Sequence, residues 1–146
     1  MHAFLFNTVL GLNALWFGIA FGSFSLRPLP AAKLLVPPHT RSSPLFEIVA
    51  ASLRFLGGMN LAMALFAVLL LLFGHLFPLP VQRALFAAVF AMGHGTQFAG
   101  NVPIALGRSS LWPVWRGPMR LIFAVDFTLM AANAAVCILH LLRPVP

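Results

Sequence analysis

Acidic side chains are almost missing from this chain: Glu47 and Asp126 are the only two in 146 residues. Charged residues of every kind make up 8% of it, against about 25% in ordinary soluble domains. So few charges cannot cover a water-exposed surface, and a lipid bilayer is the expected solvent. Cysteine occurs once, at Cys137, which excludes an intramolecular disulfide and any zinc-type cysteine cluster. Phosphate-binding loops are missing as well, because Phe98 stands where a fingerprint built on Gly93 and Gly95 would need its third glycine. No Ser, His and Asp arrangement marks a nucleophile, so no catalytic residue is assigned.

What the chain does contain is apolar sequence, 61% of its residues, with a mean hydropathy of +0.98. Four runs are long enough to cross a bilayer, which takes about 20 apolar residues. They cover 3–26, 55–77, 84–106 and 121–142, and they predict one all-α domain, an integral membrane four-helix bundle spanning residues 1–146. A Pro-rich loop with Pro28, Pro30, Pro37, Pro38 and Pro44 separates the first two runs, and the segment from Leu45 to Arg54 is expected at the interface. The third run, with Gly93, Gly95, Gly100 and Pro103, should be the least regular helix. Trp112 and Trp115 fit the role of interfacial anchors in the last loop.

Charge sorts by side. Arg27, Lys33, Arg41, Arg54, Arg108, Arg116 and Arg120 lie in or beside the first and third loops, with Arg83 and Arg143 opposite. The positive-inside bias places those two loops in the cytoplasm and both termini outside. Topology thus accounts for the net charge of +7. Anionic lipid headgroups are the expected partners of this charge, and a nucleic-acid partner is not expected, because no basic patch is interleaved with exposed aromatics.

Depth is the most informative property of the polar residues. Asp126 lies six residues beyond Arg120, about 9 Å into the membrane, where an ionised Asp costs about 2.5 to 3.5 kcal/mol unless it finds a partner, a proton or water. Asn101 and Asn60 fall at similar depth. His94, Gln97 and Asn101 share one helix face at i, i+3, i+7, with Leu85, Phe86, Val89 and Phe90 supplying the apolar surface around it. Asp126, Asn133 and Cys137 share another face, with His140 nearby. Both stripes should point inward. Arg54, Asn60, His94, Gln97, Asn101, Asp126 and Asn133 are therefore the candidate ligand-binding residues, with Arg54 or the two asparagines Asn60 and Asn101 as alternative partners for Asp126. Register-fixing hydrogen bonds between helices are the plainer reading of the same layer.

Other features have modest readings. Asn7, Gly11, Ala14, Gly18 and Gly22 line one face of the first run and predict close helix packing, within the chain or in a homodimer. Gly57 and Gly58 predict a close helix contact. His2, His75 and His140 fall near one membrane edge, and His75 with His140 could in principle face each other across a haem. Dispersed Met59, Met63, Met92 and Met130 read as core filling, and no cofactor or metal is assigned.

The stretch Leu53, Arg54, Phe55, Leu56, Gly57, Gly58, Met59, together with the four-run layout, resembles the small four-helix bacterial membrane proteins of the DoxX-like group. That resemblance implies an inner-membrane bundle, in some cases associated with redox complexes. Gly93, His94, Gly95, Thr96, Gln97 and Phe98 do not match the group's pattern. The expected function is binding or passage of a small ligand or proton in the interior. An accessory subunit of a larger membrane complex and a membrane-embedded redox or lipid-modifying enzyme are the alternatives.

Overall fold

A computed structural model describes residues 2–108 and 112–142; the side chain of His2, the terminal residues Met1 and Pro146, and the basic Arg143 lie outside the described residues. Five α-helices, α1 (His2–Phe21), α2 (Pro28–Leu35), α3 (Leu45–Phe73), α4 (Pro80–Ala105) and α5 (Gly117–Leu141), carry the fold, and no strand occurs among the described residues. A π-helical turn, Gly22–Leu26, extends α1. Three apolar runs are long enough to cross a membrane: Ala3–Leu26, Leu45–Leu76 and Gly117–Leu141. The expected third span corresponds to α4, which falls outside that group and carries Gln82, Arg83, His94, Gln97 and Asn101.

The Pro-rich loop folds more than expected. Arg27 breaks the first helix, and Pro28 and Pro30 then sit in the first turn of α2, where a missing N–H costs nothing. Val36 is extended ahead of Pro37, and Arg41 donates from Nε to the Val36 carbonyl at 3.0 Å and from Nη2 to that of Lys33 at 2.7 Å. Carbonyls left open by the helix end are thereby taken up.

Residues 45–54 belong to one continuous helix with the apolar run behind them, and Ala31 and Ala32 of α2 pack on Ala50 and Leu53. Helix α3 is 29 residues long, about 43 Å, and exceeds the hydrocarbon core of about 30 Å. Helix α4 runs unbroken past its glycines to Pro103 in its last turn, then ends in a Schellman motif. There the Arg108 N–H donates to Pro103 O at 2.9 Å and the Gly107 N–H to Ile104 O at 3.0 Å, with Gly107 at φ 71.

The core draws Phe6, Leu10 and Phe17 from α1, Ala67 from α3, Phe90 from α4 and Val136 from α5. Phe90 is fully buried and stacks on Phe66 at 5.5 Å, whereas Leu85 and Val89 are exposed, so the apolar residues around the polar stripe divide between core and outer face. On α1 the buried face is the bulky one. A Cβ placed on Gly11, Gly18 or Gly22 would meet nothing within 4 Å, so these three glycines form no close helix contact among the described residues, although Ala14 of the same stripe packs on the core. Gly57 does: a Cβ there would sit 2.6 Å from the Ser25 backbone nitrogen, and only glycine admits the π-helical turn at that distance. Gly58 faces open space.

Candidate functional site

Three helices bring polar side chains to one buried layer near their midpoints. Asn13 of α1, His94 of α4, and Asp126 and Asn133 of α5 are each at most 1% exposed. Each lies at the i+3 or i+4 spacing of a buried stripe, Phe6, Leu10, Asn13 and Phe17 on α1 and Asp126, Leu129, Asn133, Val136 and His140 on α5. His94 takes a central position. Its ring stacks on Phe17 with centroids 4.5 Å apart, and Gly93 and Gly95 on either side leave room for Met63, Phe17 and Met130.

The hydrogen bonds form one directed chain. Asn133 Nδ2 donates to the Leu129 carbonyl at 2.8 Å, which can only accept, and to Asn13 Oδ1 at 3.0 Å. Asn13 Nδ2 returns a bond to Asn133 Oδ1 at 2.9 Å. Asn13 Oδ1, an acceptor, lies 3.0 Å from His94 Nε2, so that nitrogen carries a hydrogen. His94 Nδ1 then meets Asp126 Oδ1 at 3.1 Å. Either Nδ1 is protonated against a carboxylate, or a protonated Asp126 donates to a neutral ring. Both states hold one proton between the two groups and have zero net charge, the cheapest outcome for a buried acid and base.

Trp16 completes the site. Its Nε1 donates to Asp126 Oδ1 at 3.1 Å, giving that oxygen two partners, while Asp126 Oδ2 is buried with none among the described residues. On its other side Trp16 lines a cavity of about 380 Å³ together with Ser23, Phe24, Arg27, Gln97 and Leu121. The opposite end of the layer is closed by Phe6, Val9, Leu10 and Val136, with Arg83 over the Phe6 ring at 5.9 Å.

The remaining expected residues lie elsewhere. Arg54 is exposed and contributes only its carbonyl, which accepts from Ser25 Oγ at 3.1 Å. The pairing expected between Arg54 and Asp126 is therefore replaced by His94 and Trp16, both nearer along the bundle. Asn60 is buried but donates within its own helix to Leu56 O at 2.7 Å. Asn101 donates to Gln97 O and accepts from Trp112 Nε1 at 2.9 Å, so neither asparagine is the partner of Asp126. Gln97 and Asn101 are half-buried and line a neighbouring cavity of about 210 Å³. Trp115 Nε1 donates to Ala105 O at 2.8 Å, so both loop tryptophans tie the last loop to α4.

Asn13 and Trp16 escaped the sequence reading. Their signal was present, since each places a hydrogen-bonding group inside an apolar run, on a face of α1 other than the glycine stripe. His140 is buried against Phe6, with Nδ1 3.0 Å from Val136 O, while His75 is exposed. No group of three or more His, Cys, Asp or Glu able to hold a metal occurs among the described residues.

No family model, curated protein or solved structure matches this chain, so its function must be argued from this geometry alone.

Proposed function

We propose that the chain is a four-span membrane protein, with α4 as the third span and the basic loops in the cytoplasm, whose interior binds a proton at the His94–Asp126 pair. The observation that carries this reading is the asymmetry of the Asp126 carboxyl group. Oδ1 has two partners and Oδ2, equally buried, has none. An unmet buried polar atom costs about 1 to 3 kcal/mol, and a cluster serving only to fix helix register gains nothing from leaving it so. A free carboxyl oxygen beside an imidazole is suited to accept or release a proton, or to receive a small hydrogen-bond donor.

Access in this reading is one-sided. Trp16 both donates to Asp126 and lines the 380 Å³ cavity toward the basic end, with Gln97 and Ile122 beside it, whereas Phe, Leu and Val side chains pack at the other end. That favours binding over passage through the membrane. Solid-state NMR of ¹⁵N-histidine-labelled protein in lipid tests the proton count. His94 Nε2 should be protonated and Nδ1 should share its hydrogen with Asp126, a signature lost in Asp126→Asn. An unprotonated Nε2 would contradict the one-proton centre.

A further inference from the structure

Beyond the proton site, the basic end of the molecule holds a second feature. The 380 Å³ cavity opens sideways between the end of α1 and the start of α5, where Ile19 and Leu121 are exposed. Along α1 and the π-helical turn it extends from Trp16 to Arg27. Its walls are mostly apolar, with Ser23 and Gln97 the polar exceptions and Arg27 the one charge among them. Leu34 and Pro118 also line a larger cleft of about 640 Å³, edged by Lys33, Arg41 and Arg116 where the two basic loops meet. No carboxylate lines either space. Asp126 is engaged with His94 and Trp16, and Glu47 lies apart at the start of α3. These cations are therefore not neutralised by the chain itself.

We infer that this cavity and cleft together bind one anionic phospholipid, with an acyl chain in the cavity against Trp16 and Leu34 and the phosphate headgroup between Arg27, Lys33 and Arg116. The complementarity is twofold. An apolar slot that opens toward the bilayer matches an acyl chain, and a volume of 380 Å³ lies within the range of about 300 to 1,000 Å³ typical of ligand sites. Positive charge lies at the slot's mouth, where a headgroup would be, each residue near the membrane surface adding a similar increment of attraction. Helix α2 contributes Leu34 and Lys33 to this site, and Arg41 holds its C-terminus through the Val36 and Lys33 carbonyls. The inference does not depend on the proton reading.

Diffuse attraction to anionic membranes predicts that any basic residue at this end counts equally, which gives a clean comparison. The full chain, purified in maltoside detergent and stripped of lipid, is titrated with dioleoyl phosphatidylglycerol or phosphatidylcholine and followed by native mass spectrometry. One phosphatidylglycerol should be retained per chain. Arg27→Gln with Arg116→Gln should weaken it about tenfold, while Arg108→Gln with Arg120→Gln, the same loss of charge at the same end, should leave it nearly unchanged. Ala20→Phe, which narrows the cavity and keeps every charge, should also weaken binding, with Ile122→Trp on the facing wall replacing it if that variant does not fold. Equal weakening in the two double variants would overturn the site in favour of diffuse attraction. Equal retention of phosphatidylcholine would overturn the role of charge, and competition by soluble glycerol phosphate at the same concentration would overturn the role of the cavity.

Discussion

His94 is the residue on which the interior turns, because both of its nitrogens are committed and each to a different helix. Removing it leaves Asp126 without its cationic or accepting partner, and removing Asp126 leaves Nδ1 unmet. Either His94→Leu or Asp126→Leu should destabilise the protein by about 1 to 3 kcal/mol, the cost of stranding a buried polar partner. The double variant should cost less than the two losses added together, by about 0.5 to 3 kcal/mol. Unfolding in a single detergent measures this, with Val89→Leu, at an exposed position, as the control. Additive losses would contradict the pair. At this scale the sequence was informative about which residues are unusual but not about who meets whom. Asp126 and His94 stand out as titratable groups in apolar runs, yet depth counted along separate helices could not say that their faces converge, and a long Arg54 side chain looked within reach.

Among the elements, the helices were largely legible, and their ends were less so. Apolar length located four long helices, since burying backbone in lipid leaves no alternative to helical pairing. Charges at Glu47 and Arg54 set the first turns of α3 apart in the sequence; their packing against α2, a contact between separate helices, was not legible there. The Leu53–Met59 stretch that carries the family resemblance also has a local physical reason. Gly57 faces Ser25 of the π-helical turn with no space for a side chain, and Ser25 Oγ donates to the Arg54 carbonyl. Gly57→Leu should therefore destabilise by about 1 to 3 kcal/mol through overpacking. Gly58→Leu, facing open space, should be tolerated. Thermal unfolding of the two variants side by side checks this, and equal effects would contradict the close contact.

For the whole molecule, the consequential property is the difference between its two ends. Basic loops, α2, the cavities and Trp16 gather at one end, and a sealed apolar core with Arg83 over Phe6 closes the other. If the proposed orientation holds, cysteines introduced at residues 33 and 116 in a Cys137→Ser background should resist an impermeant thiol reagent in intact cells, while cysteines at the termini react. Strong labelling at 33 and 116 with protected termini would reverse the orientation.

The same polarity makes a sharper demand on the proposed proton site, which in this reading exchanges past Trp16. Hydrogen–deuterium exchange of the proton shared by His94 and Asp126, followed by infrared spectroscopy after transfer of the protein into D₂O, measures that directly. The account predicts faster exchange in Trp16→Ala, slower exchange when phosphatidylglycerol is added, and no change in Phe6→Ala at the opposite end. Exchange accelerated by Phe6→Ala and indifferent to Trp16→Ala would place the opening at the other end and contradict it.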